Sequence, residues 1–144
     1  MRKIVYLMTI CIVSILGCSG EENLNDYNVL LENEGNTYQT GEFIPLKVIV
    51  EDPSGEPVSV DDIFLYMNME RMNHPMQGTM EEQDQGMYII ELPLAMGGEW
   101  YVDVLIKDGK KEREERFYIH GEGEMVMEYM MGYNKDEERK SSSE

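Results

Sequence analysis

Cysteine is almost missing from this chain: among 144 residues only Cys11 and Cys18 carry a thiol, and nothing after residue 18 does. The bulk of the sequence can therefore hold neither a disulfide framework nor a thiol nucleophile, and its stability must come from a packed core. Histidine is equally scarce, with two, and no nucleophile–base pair is visible, so an enzyme is not expected. Basic residues are few, 12 Lys+Arg against 29 Asp+Glu, for a net charge of −17. Such acidity repels phosphate backbones and anionic headgroups, which excludes nucleic-acid binding and polybasic membrane docking. No apolar run is long enough for a comfortable membrane span; the longest covers residues 4–16. The residue present in excess is methionine, at 13.

The apolar run follows a short basic start, Met1-Arg2-Lys3, and has the length of a signal-peptide core. It ends Ser14-Ile15-Leu16-Gly17-Cys18. An aliphatic residue three before the cleavage point, a small one just before it and cysteine just after it resemble the lipobox of bacterial lipoproteins. The resemblance implies cleavage after residue 17 and diacylation of Cys18. The lipid bilayer is then a partner, and the chain is retained on the extracytoplasmic side of the cell membrane. Each buried methylene contributes about 0.8 kcal/mol, so two acyl chains hold a small domain that one would release. Losing Arg2 and Lys3 with the signal leaves 10 basic against 29 acidic residues, or −19. Polar residues 18–26 then read as a solvated tether.

Residues 27–120 alternate between short strand-like runs and turn signals. Runs at 27–32, 43–51, 63–69, 86–92, 100–106 and 113–119 show period-2 patterning, as in Ile63, Leu65, Met67, Met69 and in Trp100, Val102, Val104, Ile106. Pro45 places the start of its run at an edge or bulge. Asp52-Pro53-Ser54-Gly55 marks a turn, and Asp108-Gly109 a tight hairpin. Six or seven such strands predict an all-β fold: an antiparallel, immunoglobulin-like β-sandwich, with an open barrel as the alternative. In residues 121–144, Met125, Tyr129 and Tyr133 fall at i, i+4 and i+8. That spacing predicts an amphipathic helix over 124–140, weakened by Gly132, with the polar end 135–144 frayed and solvated.

The densest chemistry lies between Met67 and Met80, where five thioethers and one imidazole share fourteen residues. Alternation turns Met67 and Met69 toward the core face of their strand, where flexible methionine fills space. Past Arg71 the composition is that of a loop or strand margin, and Met72, His74 and Met76 fall at i, i+2 and i+4. In an extended segment all three point to one side. Neutral thioethers with an imidazole suit Cu(I) better than Zn²⁺, Mg²⁺ or Ca²⁺. Thioethers also need no deprotonation to bind.

These residues, followed by Gly86-Met87-Tyr88 and Met96-Gly97-Gly98-Glu99-Trp100, resemble YtkA-like domains, which group with exported β-sandwiches of the FixH and CopC kinds. The resemblance covers about residues 38–119. It implies a copper site drawing on Met72, His74, Met76 and Met96, with Met69 or Met80 as substitutes. Family loops often hold more than one histidine, and here His74 stands alone, which biases such a site to Cu(I). The implied role is copper handling, or delivery to a membrane metalloenzyme such as an oxidase or to a copper-transfer protein. The other expectation is a non-metal module that docks a membrane complex through an adaptable methionine surface. Acidic pairs such as Asp61-Asp62 lack calcium-loop spacing and read as solvated turns. His120 reads as a strand-end residue. The tail methionines Met125, Met127, Met130 and Met131 read as a packing face before a second soft-metal patch.

Overall fold

A computed structural model describes residues 23–144. Its strands are β1 (Asn28–Leu31), β2 (Thr37–Gln39), β3 (Ile44–Glu51), β4 (Asp62–Asn68), β5 (Met76–Thr79), β6 (Glu81–Asp84), β7 (Met87–Leu92), β8 (Gly98–Asp108), β9 (Lys111–Glu122) and β10 (Tyr133–Asn134), followed by helix α1 (Lys135–Ser141). They form two sheets, β1-β3-β7-β6 and β10-β5-β4-β8-β9-β2. The alternating stripes meet between the sheets. Leu46, Val48 and Val50 of one face Ile63, Leu65, Met67, Trp100, Val102, Val104 and Ile106 of the other, all fully buried. This is the all-β sandwich, built by period-2 patterning over both inner faces. Pairing is antiparallel except at the two margins of the larger sheet, where β10 runs parallel to β5 and β2 parallel to β9. Among the described residues no helix is long and apolar enough to cross a membrane.

Three local expectations are corrected. Residues 124–140 are not one helix: a 3-10 turn at Met127–Tyr129 and the two residues of β10 precede α1. The end expected to fray from residue 135 is itself that helix, α1, while residues 76–79 take the strand-margin alternative as β5, paired with β4. The tether ends early, because Leu24–Asp26 form a 3-10 turn whose Leu24 is buried and whose carbonyls receive the Arg113 guanidinium. The signal segment and Cys18 lie outside the described residues.

Two buried polar groups finish the sheets. Pro45 lies past the last residue of β1, where no strand neighbour asks for its missing N–H. The Asn33 amide takes over there, donating to the Pro45 carbonyl at 3.1 Å and to the Tyr38 hydroxyl, and accepting from the Lys47 N–H at 2.8 Å. On β7, the Tyr88 hydroxyl accepts from the Val60 N–H at 2.8 Å and donates to the Val60 carbonyl at 3.1 Å. Burial raises the pKa of this phenol above its ordinary value near 10. Its neutral form is thus the one the fold favours. The stability it contributes is complete below pH 10 and is lost as pH rises through the higher folded-state value. Tyr88→Phe strands both Val60 groups and is expected to cost about 1–3 kcal/mol. Urea unfolding of both proteins from pH 8 to 11 should show the difference shrinking only at the alkaline end.

The order of connections fixes two poles. At one pole lie the first described residues, the start of β1 and the β8–β9 hairpin. At the other lie the starts of β3, β5 and β8 and the ends of β4, β7 and β9. Eight residues of β3 separate them by about 26 Å.

Candidate metal-binding pole

The second pole collects four chain segments: 69–75 after β4, 93–97 before β8, 40–43 before β3, and 123–132 after β9. Its first segment opens with a tight turn, the Met72 N–H donating to the Met69 carbonyl at 3.2 Å. Arg71 takes a left-handed φ of 63° there, so the backbone reverses instead of staying extended. Buried Asn68 clamps the two ends of this turn. Its side-chain oxygen accepts from the Met69 N–H at 2.9 Å and the His74 N–H at 3.0 Å, while its amide donates to the Tyr66 hydroxyl. Glu70, at the turn, lies 3.7 Å from the Arg116 guanidinium. Arg116 is held by Asp103 through two hydrogen bonds and stacks 4.3 Å over Tyr101. The Asp103 carboxylate raises the Arg116 proton affinity further.

His74 is half-buried, and its ring Nδ1 lies 2.6 Å from the Met130 carbonyl oxygen, 56 residues away in sequence. A carbonyl only accepts, so Nδ1 carries the proton. The Nε2 lone pair of the neutral ring is then the one available to a cation, the arrangement that orients imidazole ligands.

The sequence-predicted ligands divide. Met72 is exposed, and His74 and Met96 are half-buried, all three on segments of this pole. The Met96 carbonyl accepts from the Trp100 indole N–H at 3.0 Å, which fixes its loop. Met69 is buried at the floor of the pole, its methyl over Gly98: a Cβ there would lie 2.6 Å from it. Met76 is fully buried opposite Met67, whereas Met72 is exposed and His74 half-buried, so the three are not gathered on one face. Met80 is buried one β5 length farther on, about 13 Å along the strand. Both belong to the core.

The tail methionines serve only in part as a packing face. The chain from 123 to 134 crosses this pole as a strap, tied by the Val126 N–H to the Ala95 carbonyl at 2.7 Å and by the Tyr133 N–H to the Pro75 carbonyl at 2.8 Å. Its Tyr129 and Tyr133 pack edge to face with each other and with Phe43, with centroids 5.4 to 6.1 Å apart. Met130 packs on the core, while Met125, Met127 and Met131 face solvent. Only a helical period of 3.6 is visible in the sequence of these residues, and no local signal ties them to His74. Among the described residues no three His, Cys, Asp or Glu side chains converge as a metal site. The soft donors on these four segments are thioethers and the His74 imidazole, while exposed His120 sits near the end of β9 opposite Glu99.

The profile of the YtkA-like family matches residues 21–104, more than half of the chain. The chain belongs to the YtkA-like family. The match holds the 69–80 segment, Met96 and Trp100, and ends before β9 and the strap. No curated protein matches the sequence. Among solved structures, an endo-β-1,4-mannanase from Thermotoga petrophila is similar at 13% identity and a TM-score of 0.50, over 72% of this YtkA-like chain and 21% of that one. A mutant Salmonella α-2-macroglobulin is similar at 20% identity and a TM-score of 0.49, over 69% and 6% of the two chains. The filamin domain of Lin-41 is similar at 10% identity and a TM-score of 0.46, over 70% and 96%. The YtkA-like chain thus spans only a small part of the first two proteins, and the likeness to the mannanase concerns fold alone.

Proposed function

We propose that this YtkA-like protein is a lipid-anchored extracytoplasmic domain that binds Cu(I) at its methionine-bearing pole, for copper handling or the assembly of a membrane metalloenzyme. The observation that carries the reading is the His74 ring, held through Nδ1 by a backbone carbonyl with its Nε2 left for a ligand. The same pole carries Met72 and Met96 on its loops, and their neutral sulfur suits a soft monovalent cation in an oxidising compartment. The cation is cargo here, exchanged between ligand sets at an open surface, and no bond is made or broken in a substrate.

The poles support the anchoring geometry. Residue 23 lies at the pole opposite His74, so acylated Cys18, five residues earlier, reaches the bilayer with at most about 18 Å of chain. His74 then faces the aqueous exterior, away from the lipid.

The test is a Cu(I) competition titration of the purified full chain in detergent against a chromogenic chelator. Wild type should retain one Cu(I), and His74→Ala should weaken retention at least tenfold. Failure of wild type to hold copper, or equal retention by the variant, overturns the reading. A protein-docking role for the exposed methionines, of which Met127 and Met131 are 75% and 92% exposed, would take its place.

A further inference from the structure

The strap does more at this pole than pack. We propose that Met131, on the C-terminal strap, donates its thioether sulfur to the same Cu(I) that His74 binds, so that the cation joins the strap to the β4–β5 loop. The inference rests on the copper reading above and adds to it a ligand that lies outside the family match, which ends at residue 104.

A backbone contact brings the strap to His74 just before Met131. Tyr133 pairs with Met76 in the parallel β10–β5 ladder, and its N–H is bonded to the Pro75 carbonyl at 2.8 Å. One residue earlier, Gly132 lies against Pro75 so closely that a Cβ would sit 2.7 Å from the Pro75 oxygen. Met131 directly follows Met130, whose carbonyl lies 2.6 Å from the His74 ring nitrogen Nδ1.

Exposure separates Met131 from its neighbours. Val126, Tyr129, Met130 and Tyr133 are half-buried and account for the docking of the strap on the core, whereas Met131 is 92% exposed. Packing therefore does not require its sulfur. Nor is Met131 on a loose end. Upstream, the Thr40 hydroxyl donates to the Glu124 carbonyl at 2.7 Å. Downstream, the Asp136 carboxylate accepts from the Thr79 N–H and hydroxyl, and Arg139 donates to the Thr79 carbonyl at 2.8 Å. With the backbone held on both sides, only the side-chain rotamers of Met131 remain to be ordered on binding.

The experiment labels the methionine methyls with ¹³C in the full chain in detergent and adds Cu(I) alone, under ascorbate. The Met131 methyl should shift by the first equivalent. In the chelator competition Met131→Leu should weaken Cu(I) retention about tenfold, and Met125→Leu should leave it unchanged. Trp100 fluorescence reports that each variant is folded. A stationary Met131 methyl with full retention by Met131→Leu, while His74→Ala still loses copper, overturns the strap ligand and leaves the copper reading standing. If His74→Ala also keeps its copper, the copper reading itself falls.

Discussion

Trp100→Ala should lower the stability of the domain by about 3–5 kcal/mol, the largest single loss expected in this protein. The indole is fully buried on β8, between β4 and β9 in the larger sheet, so alanine leaves a cavity walled by strands that cannot close over it. It also strands the Met96 carbonyl, which now accepts from the indole N–H at 3.0 Å. For a domain of this size each kcal/mol moves the melting temperature by about 3–6 °C, so a thermal melt followed by circular dichroism should fall by about 10–25 °C. Trp100→Phe divides the effect. It keeps much of the aromatic volume, loses the donor, and should cost about half as much. A drop under about 1 kcal/mol for the alanine variant would mean that Trp100 does not hold the two sheets together.

Trp100 also shows why so much of the sandwich was legible. Its neighbours Val102, Val104 and Ile106 share its parity, and long strands with one face inward carry that period wherever the partner strand happens to be. The short margins carry no such signal. Glu81–Asp84 form β6 with all four residues exposed, and Met76–Thr79 form β5 around a glycine; their pairing comes from long strands already in place. The strap misled for a related reason. Met125, Tyr129 and Tyr133 have helical spacing, but the backbone there answers to contacts with Ala95, His74 and Pro75, all remote in sequence. At the pole, the alternation of Met72, His74 and Met76 presupposed an extended chain. Residues 72–75 form no strand, and exposed Met72, half-buried His74 and fully buried Met76 do not share one environment. His74 itself was visible as a lone imidazole among thioethers, whereas its carbonyl partner 56 residues on was not.

Gly132→Val carries the second largest expected effect, and it separates strap from core. Gly132 has φ of 98°, a conformation that L side chains rarely adopt, and an added Cβ would lie 2.7 Å from the Pro75 oxygen and 3.0 Å from its ring. Proline backbone has nowhere to retreat, because Pro75 comes directly after the clamped His74 and leads into β5. The strap must therefore lift, at a cost of about 2–4 kcal/mol. If the strap opens as its own unit, amide hydrogen exchange should speed at Tyr133, whose N–H now bonds Pro75, and at Thr79, whose N–H bonds Asp136. Amides of β8 should keep the protection of the global fold. Lifting also frees the His74 ring from the Met130 carbonyl, so Cu(I) retention should weaken with the opening. The edge of β5 then stands unpaired, and an unpaired edge invites strand addition from a second chain. Sedimentation should accordingly show self-association rising with protein concentration in Gly132→Val and absent in the parent. Uniform acceleration of exchange across β8 and Tyr133 alike would instead mean that strap and sandwich unfold as one cooperative body.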